Sequence, residues 1–213
     1  SNYATITLHN GGTAGTATAI SVKLVTSRST DVAVSVGGAR VSQGQTNNTF
    51  VGTVPSKLTT ATHGTAVGYL AQNAMTTGYG NTAVGSLAQQ SLTTGYSNTA
   101  VGFGAQSSLT GGQSNVAVGQ SAQESLTTAT NNVAVGPSAQ YSVTTGIGNV
   151  AIGSNAGRAY TTGSYNTVIG YGAGYIGTTA TLSGTVCIGV NSGGTAAQAT
   201  ANNQIVLGVS NHD

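Results

Sequence analysis

The stretch NTAVGSLAQQSLTTGYS at residues 81–97 is followed directly by the closely similar NTAVGFGAQSSLTGGQS at residues 98–114. Its opening motif, Asn-[Thr/Val]-Ala-[Val/Ile]-Gly, returns in the same or a closely related form at steps of 17 residues, and degenerate copies flank this array on both sides. The closing glycines of the motif stand at positions 52, 68, 85, 102, 119, 136, 153, 170, 189 and 208. Their spacings are 16, then 17 six times, then 19 twice, which predicts a repeat protein of ten rungs.

The second half of the unit also repeats, as a small residue followed by an apolar one. The small residues are Ala71, Ala88, Ala105, Ala122, Ala139, Ala156 and Ala173, and the apolar ones are Leu58, Met75, Leu92, Leu109, Leu126, Val143 and Tyr160. Seventeen residues with several glycines are too few for a helical hairpin, and β-branched residues cluster at the motif. Each unit therefore predicts two short strands and two turns. Stacked at about 4.8 Å per rung, the units predict an all-β parallel solenoid of two sheets, roughly 50 Å long.

The glycine and asparagine of the motif are predicted to lie at the corners of each rung. Glycine adopts positive φ without steric cost because it has no Cβ, and asparagine also tolerates this conformation at a corner. Repeated in every rung, the asparagines can also form a hydrogen-bonded amide ladder along the stack. This structural ladder comprises Asn81, Asn98, Asn115, Asn132, Asn149 and Asn166, and a second candidate ladder comprises Gln72, Gln89, Gln106, Gln123 and Gln140.

The motif strand has apolar residues on both faces, because Ala83 and Val84 alternate in direction and neither is polar. One face can fill the narrow interior of the rung, and the other needs a partner. Small side chains bury little area per residue, so association with identical chains is a natural remedy. We expect a homo-oligomer, most plausibly a homotrimer wound around a common axis.

Residues 1–45 lack the 17-residue unit and show instead the alternating β segments Ala4–Leu8, Ala19–Val25 and Val32–Val36. We interpret this region as a small N-terminal β cap or joint, and residues 46–213 as the solenoid array. A joint of this kind would contact neighbouring fibre segments. The 19-residue spacings after Gly170 are interpreted as a wider terminal pair of rungs.

The small charge inventory argues against several function classes. The five basic residues are scattered, so no nucleic-acid partner is expected, and no run of about 18 apolar residues predicts membrane insertion. The only carboxylates are Asp31, Glu124 and Asp213, far apart in sequence, which argues against an enzyme and leaves no catalytic residue to propose. Glu124 and Arg158 are interpreted as parts of a solvated face.

Metal and thiol chemistry is not indicated either. The three histidines, His9, His63 and His212, share no ligand spacing, so neither a metal nor another cofactor is expected. Cys187 occupies the alanine slot of its rung and is interpreted as a small buried hydrophobe rather than a reactive thiol. Glycine-rich pieces such as 102–104 and 172–174 have no following lysine or helix, and are rung corners rather than phosphate loops.

Aromatic residues in the predicted turns are candidates for glycan or receptor binding. Tyr79, Tyr96 and Tyr165 come after the Thr-Thr-Gly segment, and Tyr69, Phe103 and Tyr171 follow the motif glycine. Rings beside hydroxyl and amide groups suit stacking on sugars. The alternative is that these rings pack over the adjacent rung or in the trimer interface. If they bind glycans, alanine at the three tyrosines after Thr-Thr-Gly should abolish binding while leaving the fold intact.

The paired threonines suggest a rival function, because Thr76-Thr77, Thr93-Thr94, Thr127-Thr128, Thr144-Thr145 and Thr161-Thr162 would stack in a regular array, as ice-binding solenoids do. Adjacent residues point to opposite faces, so only one row of threonines faces water, whereas a flat ice-binding face usually has paired rows. A subunit of an extracellular filament is a further alternative, with residues 1–45 docking on the last rung of the next subunit.

The Asn-Thr-Ala-Val-Gly-x-x-Ala units and the Thr-Thr-Gly-x-x-Asn link resemble the head repeats of trimeric autotransporter adhesins, which form parallel β-rolls. They are more similar still to arrays in phage and large-virus tail fibres that precede a self-cleaving intramolecular chaperone. In those arrays, as at residues 203–208 here, a variant rung closes the repeat. The rung here is longer than the typical adhesin rung. The resemblance covers residues 46–213 and implies a trimeric fibre that presents host-surface binding sites, located in a virion tail fibre or, as the alternative, in a bacterial adhesin at the cell surface.

Overall fold

All regular secondary structure in the described part of the chain is β. The computed structural model describes residues 3–7, 21–25, 32–36, 39–44, 48–52, 61–174, 181–190 and 200–208. Their strands form one sheet in which neighbours in sequence are neighbours in space. The strands are β1 (Tyr3–Thr7), β2 (Ser21–Val25), β3 (Val32–Val36), β4 (Ala39–Gly44), β5 (Asn48–Gly52), β6 (Thr65–Gly68), β7 (Thr82–Val84), β8 (Thr99–Val101), β9 (Val116–Val118), β10 (Val133–Val135), β11 (Val150–Ile152), β12 (Thr167–Ile169), β13 (Val186–Ile188) and β14 (Ile205–Leu207).

The first four strands form an antiparallel meander that continues into the sheet of the solenoid. The bounds of β1 to β3 agree with the three predicted segments to within two residues, whereas β4 was not predicted. Val36 of β3 pairs with Ala39 of β4, so the sequence Gly37-Gly38 between them is a two-residue hairpin signal that could have located β4. β4 pairs antiparallel with β5, and β5 pairs parallel with β6. The change from antiparallel to parallel pairing therefore occurs at β5.

From β5 onward the strands are parallel, and the predicted β-solenoid of stacked rungs is confirmed. Ala83 pairs with Ala100, which pairs in turn with Ala117, so the register step equals the 17-residue sequence repeat. Equivalent residues of successive rungs consequently lie above one another. We call each such set of equivalent residues a file.

The predicted second sheet is not present in the described residues, and this expectation was wrong. Where the structure describes it, the second half of the rung is built of turns, joined to the next rung by backbone hydrogen bonds such as Gln72 N–H to Ala88 O at 3.0 Å. Bridges between rungs occur there only singly, as at Thr62 and Tyr79. The physical reason is that this half places residues at positive φ, with Leu87 at 61° and Gln89 at 49°, and an extended strand does not contain that conformation.

The interior of the rung is narrow and holds small apolar side chains with two polar files among them. The alanine of the motif points inward in β7 to β11, as Ala83 does in β7, and Ala83 belongs with Ala88 and Leu92 of its rung to the fully buried core. Phe50 occupies the alanine slot near the start of the array and Cys187 occupies it near the end. The interpretation of Cys187 as a small buried residue is thereby confirmed.

The motif glycine has the predicted role at the corner, whereas the asparagine does not. Gly119 has a φ of 137°, and a Cβ there would lie 2.6 Å from the carbonyl carbon of Gly136 in the next rung. The ladder asparagines do not have positive φ; the residue before each of them often does, as Ser97 and Ser114 do at 56° and 55°. The expectation that asparagine serves a positive φ was therefore wrong, because its side chain is directed inward and its backbone continues into the strand.

Several predictions concern residues outside the described part of the chain. They include the interpretation of Leu58 and that of the 19-residue spacings after Gly170, which run through residues 175–180 and 191–199. His9, Asp31, His212 and Asp213 also lie outside it.

Candidate binding surfaces of the solenoid

The asparagine file forms the predicted amide ladder in the interior. Asn98 Oδ1 accepts from the backbone N–H and from the side-chain Nδ2 of Asn115, each at 3.0 Å. Asn98 Nδ2 also donates to Gly112 O of its own rung at 2.8 Å. The same pattern runs from Asn81 to Asn166 and ends at Thr185, whose N–H and Oγ1 both donate to Asn166 Oδ1. Because every ladder asparagine is buried, this file stabilises the rungs and is not a ligand site.

The glutamine ladder is also confirmed. Gln72 Nε2 donates to Gln89 Oε1 at 2.9 Å, and the same bond links the remaining pairs up to Gln140. The ladder stops there because Gly157 and Gly174 take the glutamine slot in the next two rungs. A Cβ on Gly174 would lie 2.9 Å from Cε2 of Tyr160, so the missing side chains make room for that ring. At the other end of the file Gln72 Oε1 is buried without a hydrogen-bond partner among the described residues.

Tyr160 stands in the leucine file and carries a buried hydroxyl. Its Oη lies 3.1 Å from Thr185 Oγ1 and 3.9 Å from Cys187 Sγ. Burial raises the pKa of Tyr160 to about 12, and the hydrogen bond with Thr185 opposes that rise. The group is neutral over the physiological pH range and has a packing role.

The outward face of the motif strands carries an uninterrupted apolar file. The last residue of each strand is Val84, Val101, Val118, Val135, Ile152, Ile169 or Ile188. Most of these side chains remain between 37% and 42% exposed in the single chain. The sequence expectation that both strand faces are apolar is thus met, and the second face has no cover within the described residues of one chain.

Of the three tyrosines predicted to form one glycan-binding set, the structure brings only two together. The rings of Tyr79 and Tyr96 stack with centroids 4.7 Å apart and planes 5° from parallel. Tyr165 stands one residue later in the unit, in the positive-φ file, and its ring lies over Gly148 of the preceding rung. Tyr165 thus contacts the adjacent rung and is still 66% exposed, and Tyr79 of the stacked pair is 49% exposed, so both rings remain accessible at the surface.

The other three predicted aromatics share one file but do not touch one another. Tyr69, Phe103 and Tyr171 all follow the motif glycine and are exposed. Tyr69 and Phe103 are two rung steps apart, and Phe103 and Tyr171 are four rung steps apart. The positions between them in this file hold Ser86, Gln120, Pro137 and Ser154. These rings are isolated surface groups rather than a continuous aromatic platform.

Only one threonine of each pair is exposed, as predicted, although these residues lie in turns rather than in the predicted strand. Thr93 Oγ1 donates to Thr110 O at 2.9 Å, and Thr76, Thr127 and Thr144 make the same bond to the next rung. The second threonines, such as Thr94, form a single exposed file that Gly111 interrupts. One interrupted file is a poor match for an ice-binding face.

One cluster joins both charged residues of the described solenoid. Glu124, Tyr141 and Arg158 stand 17 residues apart and hence in one file. Tyr141 Oη donates to Glu124 Oε1 at 3.5 Å, and the Arg158 guanidinium carbon lies 5.1 Å from the centre of the Tyr141 ring. The two residues were interpreted as parts of a solvated face, and both are partly exposed. The common 17-residue spacing of Glu124, Tyr141 and Arg158 is the sequence signal from which this cluster could have been predicted.

Neither metal-binding nor membrane-spanning features occur in the residues that the structure describes. No group of three potential metal ligands is present there, and no helix long and apolar enough to cross a membrane. No family model, curated protein or solved structure matches this chain.

Proposed function

We propose that this chain is a trimeric shaft or head segment of a viral or phage tail fibre, which presents a glycan-binding surface to a host. The proposal joins the repeat resemblance to one structural observation, the apolar file on the outer face of the sheet. A bacterial adhesin head is the alternative with the same architecture, and the proposed mode of assembly is common to both.

The outer apolar file carries the proposal. Val84, Val118 and Ile152 exemplify a straight row of β-branched side chains, one in every rung at about 4.8 Å intervals. The row continues through the seven strands β7 to β13. Isolated valines are common on protein surfaces, but a continuous apolar row of this length calls for a structural explanation. Three copies arranged around a common axis would place three such rows against one another and remove them from water.

The absence of charge from this face supports a parallel arrangement in register. In such a trimer each residue at the axis meets its own copies, so a charged residue there would meet like charges. The outward residues of β7 to β13 are valine, isoleucine and threonine only. Threonine in the first position of β7, β8 and β12 adds hydroxyl groups at the margin of the apolar row without adding charge.

Assembly should make this shaft resistant to heat and detergent. Light scattering on the 20.7 kDa chain, before and after heating in detergent, tests the oligomeric state directly. A stable particle of three chains is the expected result. A monomer under native conditions would overturn the trimer and give more weight to single-chain functions. Thermal hysteresis at low protein concentration would then favour ice binding despite the interrupted threonine file.

Glycan presentation is tested separately, by binding of the assembled protein to immobilised oligosaccharides and to host-cell envelopes. Saturable binding that free sugar competes away is the expected result. A correctly assembled trimer that binds no saccharide would leave the shaft architecture standing and remove the proposed receptor class.

A further inference from the structure

The charge distribution singles out one place on the shaft. Among the residues whose side chains the structure describes, only Glu124 and Arg158 are acidic or basic at neutral pH, histidine aside. Both occupy the same file, two rungs apart, and Tyr141 occupies the rung between them. In the other described rungs this file holds small or neutral polar residues: Asn73, Gln90 and Ser107.

The three side chains are connected. Tyr141 Oη reaches Glu124 Oε1, and Arg158 lies over the Tyr141 ring while its Nη1 donates to Asn155 Oδ1 at 3.1 Å. Backbone hydrogen bonds fix the three rungs together, including Ser125 N–H to Tyr141 O at 3.1 Å and Ser142 N–H to Arg158 O at 3.3 Å. The cluster is therefore held on a regular backbone rather than on a long loop.

The surroundings of the cluster are polar and small. Asn155 contacts Arg158, and Ser121 Oγ and Glu124 Oε2 lie on the same side of Gly104. Glu124 Oε2 faces Gly104, and a Cβ added to this glycine would lie 3.9 Å from the oxygen. Because glycine has no side chain, residue 104 does not cover this part of the carboxylate. All three members of the cluster are partly exposed.

We infer that Glu124, Tyr141 and Arg158 form a binding site for an acidic sugar unit of an oligosaccharide. The guanidinium supplies paired N–H donors for the sugar carboxylate. The Glu124 carboxylate accepts hydrogen bonds from ring hydroxyls, and Tyr141 offers an aromatic edge between them. The backbone positions of Glu124 and Arg158 are separated by two rung steps, about 10 Å, a span that matches one or two sugar rings.

The location is compatible with the proposed assembly. The file lies in the turn segment that follows the strand and its corner glycine, and not on the outer apolar face assigned to the axis. Each trimer would thus carry three copies of the site. The inference deepens the proposed function and rests on it, since it assigns both the place and the chemical class of the glycan.

Binding to two matched pairs of probes tests the inference. The pairs are sialyllactose with lactose, and oligogalacturonate with its methyl ester, each differing by the acidic group. The wild-type trimer should bind at least one acidic member more tightly than its neutral counterpart, and added salt should weaken that binding. Arg158→Gln should reduce the affinity by about tenfold or more, the effect of losing one charge-assisted hydrogen bond.

The variants are chosen from the repeat itself. Glutamine already occupies this file at Gln90, so Arg158→Gln and Glu124→Gln should fold and assemble as the wild type does. Glu124→Gln is expected to weaken binding of the same acidic probe. Gln90→Ala, in the same file, is the control and should leave the affinity unchanged, whereas Tyr79→Ala tests the competing site at the stacked tyrosines.

The possible failures are distinguishable. If the trimer binds acidic sugars but Arg158→Gln and Glu124→Gln bind them equally well, this site is wrong and the proposed function stands. Loss through Tyr79→Ala alone would move the site to the stacked tyrosines. Equal affinity for acidic and neutral probes overturns the assignment of the sugar class. No saccharide binding by an intact trimer overturns glycan presentation itself.

Discussion

Asn81 Oδ1 accepts two hydrogen bonds from Asn98, one from its backbone N–H at 2.9 Å and one from its side-chain Nδ2 at 3.2 Å. Each asparagine therefore closes its own rung and fastens it to the next one. The ladder replaces the bulky core that this composition lacks, since the interior otherwise holds mainly alanine and one larger apolar residue per rung. The ladder stabilises the fold only if every amide group in it is hydrogen-bonded, because burying an amide without a partner costs free energy.

Asn115→Ala is predicted to destabilise the solenoid strongly. It leaves Ala129 O without the Asn115 Nδ2 donor, and leaves the N–H and Nδ2 of Asn132 without their acceptor. The expected loss in the free energy of unfolding is on the order of 3 kcal/mol. Thermal denaturation followed by circular dichroism measures it. Asn131→Gly is the control, because Asn131 is exposed and already has a φ of 60°, and equal melting temperatures for the two variants would contradict the role of the ladder.

Gly119→Ala is predicted to damage the corner of its rung. The new Cβ would meet the Gly136 carbonyl at 2.6 Å, and alanine tolerates a φ of 137° poorly. We expect a loss of about 3 kcal/mol from strain and overpacking together. Gly111→Thr is the control, because Gly111 lacks positive φ and threonine is the usual residue in its file. The idea fails if the melting temperature of Gly119→Ala matches that of Gly111→Thr.

Gly174 and Tyr160 should be energetically coupled. A Cβ on Gly174 would lie 2.9 Å from Tyr160 Cε2, so Gly174→Ala should cost more in the wild type than in a Tyr160→Leu background. The strain of alanine at a φ of 63° is the same in both backgrounds and cancels in a double-mutant cycle. We expect a coupling of about 1–2 kcal/mol, measured by chemical denaturation. Additive effects of the two substitutions would show that the Tyr160 ring does not require the absence of a side chain at Gly174.

The buried Tyr160 hydroxyl should make stability depend on alkaline pH. The folded-state pKa is raised from 10.0 to about 12, so unfolding releases a proton when the pH lies between these values. The contribution is fully present below pH 10 and is lost as the pH rises toward 12. Tyr160→Phe should lower stability at neutral pH and show a shallower fall between pH 10 and 12, measured by melting temperature across that range. Parallel pH profiles for the two proteins would argue against a buried, neutral hydroxyl.

Val118→Asp is predicted to prevent trimer formation. The change places a carboxylate in the middle of the outer apolar file, where three copies would meet in the proposed assembly. Light scattering should detect the loss of the trimer. Thr128→Asp provides the matched control, because it adds the same charge in the same rung at an exposed position outside the sheet. If the Val118→Asp protein still has the mass of a trimer, the trimer interface does not include the outer apolar file.

The sequence alone determined the repeat, the rung length and the main ladder residues. A side chain that recurs every 17 positions must stack on its own copies once the strands are parallel and in register, so Asn98, Gln106 and Gly119 could be assigned from spacing. The tertiary structure decided the course of the chain between these positions. It replaced the second predicted strand by turns, because positive φ at residues such as Gln89 depends on how the rung closes.

The surfaces likewise required coordinates. Tyr79 and Tyr96 belong to one file and stack, whereas Tyr165 is displaced by one residue and packs over Gly148, a difference that a count of turn aromatics conceals. Glu124 and Arg158 are 34 residues apart and became members of one cluster only when stacking brought Tyr141 between them. Spacing determines which residues share a file, but the direction of each side chain follows from local backbone dihedrals and from the neighbours it meets in the folded rung.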